Sequence, residues 1–119
     1  MRGLTLIGEG SSRKVYSSDG FPFVIKQSKD DGRSNRKEVE FWEAISGTEH
    51  AGYFVPVVWA DASYEVIIML FASPVDRVEP KRLKVPLQYS MHNGLTAKDF
   101  GMIGGCARCF DYQSCVTDV

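Results

Sequence analysis

The chain has 119 residues and a formal net charge of −1, so one compact domain is the expectation. A charge this close to zero argues against nonspecific nucleic-acid binding, a membrane-surface role and an acidic nucleic-acid mimic. No apolar run approaches the roughly 20 residues of a membrane span, and the opening Met1-Arg2-Gly3-Leu4 carries no signal-peptide pattern, which points to the cytoplasm.

Leu4 to Ile7 is a short β-rich run, and Lys14 to Ser17 continues it after a glycine-containing turn. Ser18-Asp19-Gly20 is a turn signal, with Asp-Gly its strongest pair. Phe21 to Gln27 follows as a strand, with Pro22 near its start, where a missing donor is tolerated. These three strands predict an antiparallel meander. A polar stretch, Ser28 to Ser34, leads to a helix with Asn35 as N-cap and Glu38 as its capping-box partner. The helix is predicted to reach Ser46, with Gly47 as C-cap. Val39, Trp42 and Ile45 form its inward stripe, widened by Phe41.

Val55 to Trp59 is a short apolar strand whose Pro56 suggests an edge or an irregular position. Asp61-Ala62-Ser63 is a turn. Tyr64 to Phe71 is the most apolar run and predicts a central strand buried on both faces. Val75 to Pro86 mixes prolines with Arg77, Lys81, Arg82 and Lys84, as a linker or a short basic surface helix would. It lacks the aromatic interleaving of a single-strand nucleic-acid binder. Gln88 to Asp99 is ambiguous. Met102-Ile103, Gly104-Gly105 and Ala107 to Tyr112 predict a β-hairpin. The fold class is therefore α+β: a five-stranded antiparallel sheet with one packed helix over residues 1–73. A reduced segment over 74–119 ends in the hairpin and packs on the first unit as one domain.

The three cysteines are Cys106, Cys109 and Cys115. Their odd number fits reduced thiols. Cys106 and Cys109 have C-x-x-C spacing, but a structural zinc takes about four ligands. Only Cys115, His92 and the distant His50 could complete the set, so small apolar packing residues are expected. Cys109 with His92 lacks an orienting partner for nucleophilic catalysis.

The chemistry concentrates near the start. Gly8-Glu9-Gly10-Ser11-Ser12-Arg13-Lys14-Val15 precedes Phe23-Val24-Ile25-Lys26. Glycines in such a turn let backbone N–H groups approach phosphate oxygens closely. With Glu38 on the following helix and two later strands, the order resembles the small lobe of the protein-kinase and aminoglycoside-kinase-like superfamily. Gly8, Gly10 and Val15 match the family's glycine-rich loop, while Arg13 stands in place of its third glycine.

That resemblance implies a role for Lys26 on nucleotide phosphates, paired with Glu38 or, second, Glu40. It places Met69 at the back of an adenine pocket, with Leu70, Phe71 and Ala72 as the hinge. Asp99-Phe100-Gly101 spells the family's metal-binding triplet, yet it precedes the hairpin. In the family's topology the metal-binding aspartate follows the hairpin, which gives Asp111, in Phe110-Asp111-Tyr112, to magnesium. Asp99 is then the remnant of the catalytic loop. The usual metal-binding asparagine is missing, and Ser90-Met91-His92 offers no aspartate in the catalytic-loop place.

The missing asparagine and the short stretch after Ala72, which leaves no room for the family's large lobe, imply a catalytically inactive protein that binds another protein; similarity to small bacteriophage kinase-like proteins implies a host factor as partner if the origin is viral. Its binding face would be the apolar side that a large lobe covers, and a homodimer could cover it equally well. No cofactor is expected on this reading. The alternative is a minimal phosphotransferase using ATP and magnesium, with Asp99 near the acceptor.

Overall fold

The computed structural model describes residues 3–74, 99–104 and 106–112. Five strands build an antiparallel sheet: β1 (Leu4–Glu9), β2 (Arg13–Ser18), β3 (Phe23–Ser28), β4 (Val57–Ala60) and β5 (Val66–Leu70), in the order β1-β2-β3-β5-β4. Helix α1 (Arg33–Ile45) and a 3₁₀ turn (Glu49–Tyr53) lie between β3 and β4. A second antiparallel sheet joins β6 (Ser73–Pro74), β7 (Phe100–Ile103) and β8 (Cys106–Cys109). No helix among the described residues is long and apolar enough to cross a membrane. The predicted linker and the ambiguous stretch before Asp99 lie outside the described residues.

The start of α1 corrects the sequence reading. Asn35 is not the N-cap; the cap is Gly32, so the helix begins three residues earlier than expected. Gly32 has φ 79°, and a Cβ there would sit 2.4 Å from the Ser63 carbonyl oxygen. Only glycine meets both conditions. Asp30 supplies the side-chain capping, accepting from the Ser34 backbone N–H and from the Ser34 hydroxyl. Asn35 is instead fully buried. Its amide donates to the carbonyl oxygens of Lys26 at 3.1 Å and Tyr64 at 2.9 Å, which fastens α1 to the sheet. At the other end the helix cap is Ser46, not Gly47.

The inward stripe of α1 is also shifted. Val39, Phe41 and Ile45 are buried, whereas Trp42 is only partly covered. Phe41 packs edge-on to Phe54, with ring centroids 4.9 Å apart, and meets Tyr112 at 5.5 Å. Tyr112 reaches Phe54 at 5.1 Å and donates its hydroxyl to the Val55 carbonyl oxygen at 2.7 Å. The Val55 N–H donates to the Cys109 carbonyl oxygen. The second sheet is thereby sewn to the first unit around one aromatic core. Cys109 is buried in that core, but Cys106 is exposed, so the packing role applies to one of the pair.

β5 is an interior strand, yet only one of its faces is sealed. Ile67 and Met69 point to the core and are fully buried; Val66, Ile68 and Leu70 on the other face are half-covered. The cross-strand register explains what lies there. Leu6 pairs with Tyr16, Tyr16 with Ile25, Ile25 with Ile68 and Ile68 with Trp59. Directly paired residues share a face, so one apolar row crosses all five strands on the side away from α1.

Phe41 and Trp42 differ in burial, so their truncations should differ. Phe41→Ala is expected to cost about 3–5 kcal/mol. Trp42→Ala should cost clearly less. Urea denaturation of both variants checks the order; equal losses would contradict the helix orientation described.

Candidate functional site

The site forms where β2, β3, α1 and the segment after β8 converge. Lys26 and Arg13 lie on neighbouring strands, two pairs apart along one face. Alternation turns both inward, because their neighbours Ile25 and Lys14 face out. Glu38 comes from α1. Lys26, Glu38 and Arg13 are all buried, with Glu38 at 0% and Lys26 at 1% exposure.

Their contacts link into one network. Glu38 Oε1 accepts from Lys26 Nζ at 2.6 Å and from Arg13 Nη1 at 2.6 Å. Glu38 Oε2 accepts from the Tyr112 backbone N–H at 2.6 Å. Arg13 Nη2 reaches Asp111 Oδ1 at 2.5 Å. Lys26 Nζ also donates to the Phe110 carbonyl oxygen and lies 5.8 Å from the Phe110 ring centroid. Glu38 is the lysine's partner; Glu40 pairs with Arg36 on the exposed side of the helix.

The ionisation shifts follow from this geometry. Burial alone would raise the Glu38 carboxyl, but Lys26 and Arg13 outweigh it and hold the group below its ordinary value. Burial pushes the Lys26 ammonium down, and Arg13 adds to that; Glu38 and Asp111 compensate only in part. The two shifts are not mirror images because Glu38 faces two cations. Lys26 faces one close anion and a second cation.

Beside this network is a cleft of about 460 Å³, lined by Gly8, Gly10, Arg13, Val15, Lys26 and Asp111 among others. Its roof is the β1–β2 turn. Lys29 ties that turn down, donating to Glu9 Oε2 and to the Gly10 carbonyl oxygen, both at 2.9 Å. A Cβ at Gly10 would meet no heavy atom within 4 Å. Among the described residues, then, packing does not demand the glycine.

The sequence-predicted residues divide in two groups. Gly8, Gly10, Arg13, Val15, Lys26 and Asp111 come together around the cleft. Glu38 stands directly behind Lys26. Met69 is fully buried in the core and is not part of the cleft lining. Asp99 is not in the lining either, though its backbone carbonyl accepts from the N–H of Phe110, which is. Arg13 turns inward to two carboxylates rather than outward to a phosphate. Asn35 was missed as a site residue, though its Oδ1 accepts from Arg13 at 3.3 Å. A buried amide inside a helix leaves no mark in an apolar period.

The donor set around Asp111 does not suit a magnesium ion as it stands. Its Oδ1 is already held by the Arg13 guanidinium, and no group of three or more metal-ligating side chains occurs among the described residues. Neither a family model nor a curated protein matches this sequence.

Glu38→Gln should cost about 3–5 kcal/mol, since it strands a buried ammonium. The pH response fixes the sign. A depressed carboxyl contributes stability above its ordinary value of 4.5, and that stability is lost as pH falls through the lower folded value. Urea unfolding at a series of acidic pH values should show a steep loss in the parent chain and a flatter one in Glu38→Gln. Parallel curves would contradict the assignment.

Proposed function

We propose that this chain is a catalytically inactive, kinase-like protein of the cytoplasm that acts by binding another protein. The observation that carries the reading is the Arg13–Asp111 pair, which sets a guanidinium on the carboxylate that would hold the metal. Phosphoryl transfer relies on cations and a metal poised to meet developing charge. A Lys26–Glu38 pair is also what an active kinase keeps, but here Arg13 spans Glu38 and Asp111, and Lys26 donates to the Phe110 carbonyl as well. The groups that would meet phosphate and metal neutralise one another. Freeing them would leave buried charges unpaired, which costs several kcal/mol per ion.

Exposed apolar surface supports the binding role. Leu6, Ile7, Phe21, Val58 and Trp59 are all exposed. Leu6 and Trp59 belong to the outer face of the five-stranded sheet, which moves the expected binding surface away from the side a large lobe would cover. If the protein is viral, a host protein is the natural partner.

One observation favours the second reading, a minimal ATP- and magnesium-dependent phosphotransferase. The cleft exists, and its glycines are not demanded by packing among the described residues. On that reading Lys26 would contact phosphates and Asp99 would lie near the acceptor, and Arg13 would have to release Asp111 before it could hold magnesium.

A thermal-shift titration and a phosphate-release assay separate the two. The binding-module reading expects no shift with millimolar ATP and magnesium, and no release above background. A clear shift, together with release that Lys26→Ala abolishes, would establish the enzyme instead.

A further inference from the structure

We propose that the solvent face of the five-stranded sheet is an interface between two copies of this chain, packed face to face about a two-fold axis. The inference rests on the reading of this face as a binding surface and names a second copy as what covers it; it does not depend on whether nucleotide binds. The face is apolar across its whole width, through the row Leu6–Tyr16–Ile25–Ile68–Trp59. Phe23 and its partner Leu70 continue it on one side. The charged and amide residues, Glu9, Lys14 and Gln27, follow one another at its far rim.

The shape selects a second copy. Phe21, at the turn between β2 and β3, is 63% exposed. Beside it is an apolar dent of about 170 Å³ lined by Leu4, Tyr16, Phe23, Ile25 and Ile68 as well as by Phe21 itself. A projecting aromatic ring and a hollow next to it on one surface are self-complementary. A two-fold axis seats each Phe21 in the other copy's dent, as an isologous contact requires.

The area is that of a weak interface. Strands about 4.8 Å apart make the row roughly 20 Å long. The patch thus falls among the larger apolar patches of monomers, about 300–600 Å². Two such patches together approach the roughly 1,200 Å² at which stable interfaces begin. Sheets stacked this way lie about 10 Å apart with their strands inclined by about 30°. An interface at the low end of the range should dissociate on dilution.

Sedimentation velocity of the full chain, from about 1 to about 300 µM, tests the proposal. The expected result is a reversible monomer–dimer equilibrium. Phe21→Glu and, independently, Leu6→Lys should each weaken it at least tenfold. Both positions are exposed, and unchanged circular dichroism would verify their folding. Tyr53→Ser, in the 3₁₀ turn packed against α1 and β8, should leave it unchanged. A chain that stays monomeric throughout would overturn the proposal. So would a dimer indifferent to both charged variants, or open-ended assembly in place of a closed pair.

Discussion

One carboxylate organises this molecule. Glu38 gathers an ammonium from β3, a guanidinium from β2 and a backbone N–H from the segment after β8. An isolated carboxylate buried to this degree would cost several kcal/mol, and so would each cation. No element bearing one of these charges can therefore dock without the others. The helix, the meander and the C-terminal strand pair are bound into one cooperative unit by this constraint. Asn35, one turn earlier on α1, reinforces it by tying the helix to the Lys26 and Tyr64 carbonyls and accepting from Arg13.

The pairing of Lys26 with Glu38 was legible only through the resemblance, which left Glu40 as the second choice. The meander was legible directly, through the Asp19-Gly20 turn and the apolar runs around it. What escaped was whatever depends on side-chain direction at the ends of elements. Asn35 and Glu38 satisfy a capping-box pattern, yet Gly32 and Asp30 open the helix, since the close approach of Ser63 admits only glycine there. Arg13 sits where a loop residue was expected, but it begins β2, and strand alternation turns it inward. Its guanidinium fills the space between Glu38 and Asp111.

The runs in β3 and β5 teach the opposite lesson. Phe23-Val24-Ile25 and Val66 to Leu70 are apolar at every position, the pattern of strands covered on both faces. The structure covers one face with α1 and the aromatic core, and leaves the other to solvent among the described residues. The sequence pattern was sound as a statement about two apolar surfaces. It was incomplete as a statement about one chain, because periodicity reports what must be buried and not which molecule does the burying.

These two faces explain one another. The inner face carries Arg13, Lys26 and Glu38, and the outer face carries Leu6, Tyr16, Ile25 and Ile68. A soluble domain usually arranges the two the other way. The inner charges are tolerable because each is met by an opposite charge or a backbone donor at hydrogen-bond distance. Exposed apolar side chains gain nothing from the fold itself, and their free energy is recovered only on contact with another surface. A chain that closes its ionic groups on themselves while leaving a flat apolar sheet open has placed its specificity inside and its affinity outside. That division is what the proposed role in association rests on.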